Sequence, residues 1–427
     1  MPALPPGFQD ARDFPLSHAL QGRRARRFSL GASISQGPLA YTSDKKPLPL
    51  DRLEKTMVLA AATGITGWHY MIPFNERYAP HLPNYSGSAW GRTFPSAAGF
   101  HTSDLFFTDD EGAYYLSTRD GPAFAAPGDD EERFLSFSED LWRRVKRVSD
   151  GRLVLPPQDP HVESHNHWCA NRPGSMLVIP IADLAQHTIA ALCYLVQNGY
   201  GVIDDINKAE IDGLDDYDDL VDLKNLFPLS FLEQQVLGEC SVEIGTSCFA
   251  GMLQLQAMGL GGWMYDGLNP FSVLGASGDP EVPGLGFRYD TDARWALPNP
   301  TGREGVFEAY CPPHFRDMRA AVDAFVERKF GPRGPFHPDT PGPWRDSPEV
   351  RGSAEAHDAR FRECVGLMAA YIHERFGKFP GTVPSVWVQM YLQAHHLDLD
   401  YYDQKFGPGA YLDTHARHMQ RWHPEKK

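Results

Sequence analysis

The most regular pattern of hydrophobic and polar positions lies between Val242 and Asn269, where apolar residues mostly recur every three or four positions. This spacing places them on one face of a helix. Thr246 or Ser247 can accept the free amides of a first turn, and the glycine-rich segment 259–262 supplies a left-handed end. The pattern therefore predicts a central helix of about four turns, around which the chain is organised.

Weaker patterns predict the flanking elements. Apolar positions three or four residues apart predict helices at 50–64, 131–148, 183–198, 314–329 and 353–376. Short apolar runs predict strands at 104–108, 113–116, 175–181 and 284–289. The turn sequence at 109–112 joins the first two strands as a hairpin.

The order of these elements predicts three regions: an N-terminal arm (1–48), a main domain (49–300) and a helical C-terminal extension (301–427). The main domain contains a strongly acidic insertion at about 200–238. Its carboxylates do not fall at the offsets of an EF-hand loop. We therefore expect a solvated lid or a surface helix there, rather than a calcium site.

Composition narrows the function classes. A chain of 427 residues with a hydrophobic fraction of 42% is long enough to bury a large core. Its formal charge of -15 disfavours nucleic acids and anionic membranes as partners. No segment has the apolar length of a membrane span or of a signal peptide, and the six cysteines form no CxxC motif. These features predict a cytoplasmic protein with reduced thiols.

Four segments, in this order along the chain, resemble the nitroreductase-like flavoprotein superfamily, and most closely its azoline-dehydrogenase (SagB-type) branch. They read PLPLDRLEKTMVLAAATGITG (47–67), GRTFPSAAGFHTSDLFF (91–107), SMLVIPIAD (175–183) and VEIGTSCFAGMLQLQAMGLGGWMYDGLN (242–269). The later segment 283–289 is similar to that family's final strand.

The resemblance implies an α+β fold, with a nitroreductase-like mixed sheet flanked by helices around a long central helix, followed here by the helical C-terminal extension. Members of the family are homodimers that hold FMN at the subunit interface and transfer electrons in a ping-pong reaction. The implied function is that of an FMN-dependent oxidoreductase, either a reductase or a dehydrogenase, acting on a small or peptide-derived organic substrate. In such proteins the cofactor carries the redox chemistry and the protein positions it.

The same resemblance assigns residues to the cofactor. It places one side of the flavin ring beside Pro95, Ser96, Ala97 and Ala98, and the other side near Leu260, Gly261 and Gly262. The family's arginine motif for the phosphate should lie at about 37–48, where this chain has no arginine. Two replacements are open: the upstream cluster of Arg23, Arg24, Arg26 and Arg27, or Lys45 or Lys46 as a point charge with less geometric precision. A solvated charged surface is the alternative interpretation of this cluster. By position, the candidates for proton transfer are His101, Tyr70 and Tyr265.

Two other function classes stay open. One is a flavin-free, metal-dependent enzyme, because His165, His167 and Cys169 alternate as they would on a strand and could bind a transition metal. A second His/Asp group in the tail consists of His395, His396, Asp398, Asp400, His415 and His418. Structural histidines held by carboxylates are the favoured interpretation of that group, so no metal ligand is assigned. The other class is a non-catalytic subunit of the same fold.

Overall fold

A computed structural model describes the protein over residues 4–71, 74–119, 131–290, 292–380 and 390–425, and the backbone alone at 382–383. Its helices are α1 (Pro6–Arg12), α2 (Leu16–Gly22), α3 (Arg52–Thr63), α4 (Glu131–Arg143), α5 (Leu184–Gln197), α6 (Leu229–Met258), α7 (Pro270–Leu274), α8 (Met318–Phe330), α9 (Ser347–Gly352), α10 (Ala359–Phe376), α11 (Leu399–Lys405) and α12 (Asp413–Trp422). Its strands are β1 (Ser33–Ile34), β2 (Tyr41–Thr42), β3 (Ile65–Trp68), β4 (Trp90–Arg92), β5 (Ser103–Thr108), β6 (Gly112–Leu116), β7 (Val145–Asp150), β8 (Met176–Asp183), β9 (Val202–Ile203), β10 (Phe227–Pro228), β11 (Gly261–Tyr265), β12 (Arg288–Asp290), β13 (Asn299–Arg303), β14 (Phe307–Glu308), β15 (Thr382–Val383) and β16 (Tyr391–His395).

The core of the fold is a seven-stranded antiparallel sheet with the order β11-β16-β8-β5-β6-β7, in which β15 also pairs with β8. Phe106 of β5 stands opposite Ile179 of β8. Every residue of these two strands is buried, so both faces of the sheet are covered at its centre. An apolar run without alternation is typical of such strands. The combination of this sheet with the helices confirms the α+β fold class.

The long central helix is α6, which packs against α3, α5 and the strands of the sheet. It ends as predicted, because Gly259 adopts a left-handed φ of 80° directly after Met258. It begins earlier than predicted, at Leu229. The hydroxyl of Thr246 donates to the Val242 carbonyl at 2.7 Å inside the helix and does not cap a first turn. The prediction of four turns is therefore too short.

Two other predicted elements have different bounds. The predicted helix at 131–148 ends at Arg143, and residues from Val145 onward pair with β6 as β7. The predicted strand at 284–289 begins only at Arg288, because Gly284 and Gly286 adopt positive φ values of 57° and 72°. Backbone of that kind turns the chain and cannot extend a strand.

Most of the acidic insertion is not helical, and an α-helix begins only at residue 229, where α6 starts. Before that point, β9 and β10 of the insertion pair with each other. Asp204 is buried and accepts a hydrogen bond from the Tyr371 hydroxyl of α10 at 2.7 Å. Arg360 of α10 forms an ion pair with Asp219. The insertion therefore packs against a C-terminal helix.

The C-terminal region contains the expected helices and also a strand of the central sheet. Helices α8 and α10 pack against each other and against α5. Strand β16 lies between β11 and β8, with Gln393 opposite Trp263. A strand from the residues after 300 therefore belongs to the same sheet as strands from the residues before them.

The cysteines are buried and unbonded, as predicted for reduced thiols. Burial raises the pKa of Cys169 to about 12 and that of Cys193 to about 11, so both are neutral thiols at physiological pH. Among the helices of the described chain, none combines the length and the apolar character that crossing a membrane requires.

Candidate cofactor site

The N-terminal arm carries the arginine cluster along one end of the central sheet. The amide of Gly262, in β11, donates to the Arg26 carbonyl at 2.9 Å. The amide of Asp398, which follows β16, donates to the Phe28 carbonyl at 3.3 Å. These backbone hydrogen bonds hold the arm against the ends of two neighbouring strands.

Arg26 is the most firmly held arginine of this cluster. Its side chain is buried and donates to Gln256 Oε1 at 2.7 Å, to the Ala410 carbonyl at 2.9 Å and to the Gly22 carbonyl at 3.2 Å. Burial lowers the pKa of Arg26 to about 10, which still leaves it charged at neutral pH. Arg26 thus joins the arm to α6 and to the C-terminal segment, and its donors are used within the protein.

Beside Arg26 the arm and the C-terminal segment enclose a cavity of about 400 Å³, within the range of about 300–1,000 Å³ typical of small-molecule sites. Phe28 and Tyr401 form an aromatic wall with stacked rings whose centroids are 3.9 Å apart. Trp168 continues this wall, 6.0 Å from Phe28. We call this space the arginine–aromatic cavity. Its lining residues are Arg24, Ala25, Arg26, Arg27, Phe28, Trp168, Tyr401, Tyr402, Phe406, Gly409 and Ala410.

The charged side chains that line the cavity are cationic. Among the described residues, no carboxylate forms an ion pair with Arg24, Arg26 or Arg27. The Arg27 guanidinium lies 5.2 Å from the centroid of the Trp263 ring, and Arg24 donates only to backbone carbonyls. An anionic group in the cavity would meet Arg24 and Arg27 without a competing carboxylate. Guanidinium groups bind phosphate by paired, charge-assisted hydrogen bonds.

The structure brings a second predicted segment, residues 260–262, close to the arginine cluster. Leu260 is fully buried, and Gly261 and Gly262 begin β11. A Cβ atom at Gly262 would lie 2.0 Å from the Gln393 carbonyl oxygen. Strand pairing with β16 by itself therefore requires this glycine, whatever the cavity holds.

Two further predicted residues lie near the cavity but do not line it. The Arg23 guanidinium lies 5.9 Å from the centroid of the Phe249 ring on α6. Tyr265 stacks on Trp263 with centroids 4.6 Å apart. Burial raises the pKa of the Tyr265 hydroxyl well above its usual value, and the hydroxyl has no hydrogen-bond partner in the described part of the chain. Tyr265 therefore stays protonated at neutral pH.

The predicted flavin loop at 95–98 lies at a different part of α6. The Ser96 hydroxyl donates to Glu243 Oε2 at 2.5 Å. Its neighbours are more open, with Pro95 and Ala98 exposed and Ala97 half-buried. Ala98 adopts a left-handed φ of 44°, a strained conformation for a residue other than glycine.

The remaining proton-transfer candidates lie on the side of this loop. His101 is buried with a φ of 47°, and its ring centroid lies 6.0 Å from that of His69. Burial lowers the pKa of His101 well below its usual value, so the ring is neutral at physiological pH. Tyr70 is 80% exposed. The three candidates therefore do not meet at one point.

The distance along α6 separates the two halves of the predicted flavin site. Glu243, which holds the 95–98 loop, and Gly259, which precedes residues 260–262, are about 16 residues or about 24 Å apart on the helix. Within one chain these segments do not flank a single flavin ring. The arginine–aromatic cavity, in contrast, combines cationic side chains and aromatic rings in one place.

The structure contradicts the alternative of a metal-binding strand at 165–169. Residues 164–166 form a single 3-10 turn, so the side chains do not alternate along a strand. His165 is exposed and Cys169 is buried, and Nε2 of His167 lies 2.8 Å from the Val162 carbonyl oxygen. The same turn instead directs Trp168 to the arginine–aromatic cavity.

Sequence patterns identify the arginines of this cavity but not its aromatic wall. The signal for the wall was present in the aromatic-rich segment 401–411. The hydrogen bond from the Phe28 amide to the Tyr402 hydroxyl joins residues 374 positions apart. Local spacing carries no information about such a pair.

Comparison with known proteins adds little to this geometry. The chain matches no protein-family model and no curated protein sequence. It is similar to the crystal structure of a candidate nitroreductase from Ralstonia eutropha JMP134, with 14% identity over 60% of this chain and 71% of the other, and a TM-score of 0.27. A likeness of that size carries no argument about function.

Proposed function

We propose that this protein is an FMN-dependent oxidoreductase of the nitroreductase type that holds its cofactor in the arginine–aromatic cavity. The observation that carries the proposal is the combination, in about 400 Å³, of a stacked aromatic wall with cationic side chains. FMN joins a planar ring system to a phosphate and therefore needs both. When bound, it would supply transfer of a hydride or of single electrons.

Each part of the cofactor has a counterpart in the cavity. Arg24 and Arg27 would bind the phosphate, since neither has a carboxylate partner in the described chain. Trp168, which is half-buried, would stack on the ring, with the buried pair Phe28 and Tyr401 beside it. Arg26 would position both groups, because its hydrogen bonds already join the arm to the segment at Ala410.

The proposal includes a homodimer. The flavin loop at 95–98 and residues 260–262 are separated by about 24 Å along α6, and Pro95, Ala98 and Tyr70 are exposed. A second subunit could bring its own loop to the cavity and complete the site. The substrate class is a small or peptide-derived organic molecule and the location is the cytoplasm, as the resemblance and the composition predict.

The decisive experiment is the visible absorption spectrum of freshly purified protein, before and after heat denaturation, with added FMN in a parallel sample. We expect a flavin spectrum and release of free FMN on denaturation. Arg24→Ala combined with Arg27→Ala should reduce FMN retention by at least about tenfold, because two charge-assisted contacts are lost. Arg143→Ala, which removes an exposed arginine of α4, is the matched control.

Three results would contradict the proposal in different ways. Colourless protein that takes up no FMN would exclude the cofactor. FMN bound equally well by the double variant would exclude the cavity as its site. A monomer in light scattering that nevertheless binds FMN and supports its cycle of reduction and reoxidation would exclude the completion of the site by a second subunit.

A further inference from the structure

Four buried side chains from distant parts of the chain converge outside the arginine–aromatic cavity. They are Glu54 near the start of α3, His396 directly after β16, His418 on α12 and His423 directly after α12. The Nε2 atoms of the three histidines lie 3.0, 2.9 and 3.0 Å from one oxygen, Oε1 of Glu54. One ligand atom from each residue lies within 4.8 Å of all the others.

Hydrogen bonds on the far side of two rings determine which nitrogen carries the proton. Nδ1 of His396 lies 2.9 Å from the Leu48 carbonyl oxygen, and Nδ1 of His418 lies 2.9 Å from the Met258 carbonyl oxygen. A carbonyl only accepts, so each Nδ1 must be the donor. In a neutral ring the Nε2 lone pair then faces Glu54. A hydrogen bond from Nδ1 to a backbone carbonyl is the usual arrangement of a histidine that binds metal through Nε2.

The four ligand atoms face one another across a small space. The ring centroids of His396 and His418 are 5.1 Å apart, and the Nε2 atoms of all three histidines surround the same carboxylate oxygen. A single divalent cation in this space would be bound by the imidazole nitrogens and the carboxylate together.

The distances between the ligand atoms are close to those in a tetrahedral metal site. With metal–nitrogen and metal–oxygen bonds of about 2.0–2.1 Å, neighbouring ligand atoms in such a site are about 3.3–3.4 Å apart. The three distances to Glu54 Oε1 are 2.9–3.0 Å, so a shift of the side chains by a few tenths of an ångström would make room for the ion. Three imidazole nitrogens with one carboxylate oxygen form a donor set suited to zinc and its neighbours in the first transition series.

The surroundings hold the ligands in place. Oε2 of Glu54 accepts the Asp51 amide at 2.7 Å, and Asp51 Oδ1 accepts the Glu54 amide at 2.9 Å, so a capping box orients the carboxylate. Asp51 Oδ2 also lies 3.8 Å from Nδ1 of His423. The C-terminal end of α6, at Met258, faces His418, and its partial negative charge favours a cation nearby.

We propose that Glu54, His396, His418 and His423 bind one divalent transition-metal ion of the zinc class. The ligand side chains are at most 5% exposed, and four protein donors leave no open position in a tetrahedral site. The centre is therefore structural: it fastens β16 and α12 to the beginning of α3. The proposal does not depend on FMN.

The test uses the full chain, produced in zinc-supplemented medium and purified without chelators. Elemental analysis should find about one Zn²⁺ per chain. His418→Ala and His423→Ala should each bind Zn²⁺ more than about 100-fold more weakly, since loss of an outer partner alone costs about 10–100-fold. His423→Cys replaces one zinc ligand by another and should retain the metal, which separates loss of a ligand from misfolding.

His415→Gln is the matched control. His415 lies on α12 and is equally buried, but its Nδ1 accepts the Leu412 amide and it is not part of the cluster. We expect this variant to keep its zinc even where its stability falls. Wild-type protein that contains no metal and takes up none when refolded with Zn²⁺ would overturn the proposal. Equal loss of zinc in His415→Gln and His418→Ala would overturn it as well.

Discussion

Glu243 accepts two hydrogen bonds from Ser103 through one carboxylate oxygen, from the amide at 2.7 Å and from the hydroxyl at 2.6 Å. This pair joins the middle of α6 to the first residue of β5. The other oxygen accepts the Ser96 hydroxyl at 2.5 Å and so holds the loop at 95–98. Glu243 is only 1% exposed, so three donors inside the protein replace the water that a carboxylate would otherwise require.

Glu243→Gln should therefore be destabilising. The amide group would point a donor at a site where donors already converge. We expect the free energy of unfolding to fall by about 2 kcal/mol, the usual cost of a buried polar group left unsatisfied. Urea denaturation at neutral pH measures this change in the free energy of unfolding. Glu233→Gln changes an exposed residue of the same helix and should cost less than about 0.5 kcal/mol; equal losses in the two variants would contradict the role of Glu243.

The contact between His187 and Glu239 should make stability depend on pH. Their side chains meet at 2.6 Å, with His187 buried and Glu239 28% exposed. Burial lowers the pKa of His187, but Cys240 and Glu239 outweigh it and raise the pKa to about 10. Because the folded protein holds this proton more tightly, the stabilisation is complete below about pH 6.5 and is lost as the pH rises towards about 10.

Comparing the free energy of unfolding of the wild type with that of Glu239→Gln isolates the stabilisation that comes from the His187–Glu239 contact. The wild type should be more stable than the variant by about 1 kcal/mol near pH 6.5, a value reduced for the partial exposure of Glu239. The difference should shrink when urea denaturation is repeated near pH 9.5. A difference that stays constant over this range would show that the proton on His187 makes no contribution.

Gly259 combines a left-handed backbone with close packing. Its φ is 80°, and an added Cβ atom would lie 2.2 Å from the Thr414 carbonyl oxygen at the start of α12. Gly278 has nearly the same φ, 79°, but nothing within 4 Å of such an atom. Gly278→Ala should cost about 1–2 kcal/mol, from the backbone alone. Gly259→Ala should cost at least about 2 kcal/mol more in the same thermal or urea unfolding experiment, and similar losses would show that the packing of α12 adjusts freely.

Elements with strong local signals could be predicted from the sequence. The start of α3 is marked by the capping box of Asp51 and Glu54, and the hairpin of β5 and β6 by its turn at 109–112. The start of α6 could not be predicted, because Thr246 is a good cap in isolation but bonds within the helix here. The place of β16 in the sheet depends on pairing with β11 and β8, and local periodicity does not encode such partners.

The four-residue cluster shows the same limit at a candidate site. His396 and His418 stand out in the tail sequence, but Asp398, expected to hold a histidine, instead accepts the Asp400 amide and pairs with Lys45. The carboxylate that faces them is Glu54, 342 and 364 positions away. In the sequence, helix capping alone accounts for a glutamate at position 54, so no local pattern indicates that Glu54 also contacts the histidines.

Removal of the metal should loosen α12 more than the rest of the fold. The centre joins His418 and His423 to Glu54, whereas α10 is held by packing against α8 and α5. After treatment with a chelator under mildly denaturing conditions, amide hydrogen exchange in 413–423 should accelerate at least about tenfold, while 359–376 should change little. The same treatment should have no effect on His423→Ala, which lacks the metal from the start. Acceleration of both helices alike would mean that the centre supports the whole fold, and no acceleration would mean that hydrogen bonds alone hold α12 to α3.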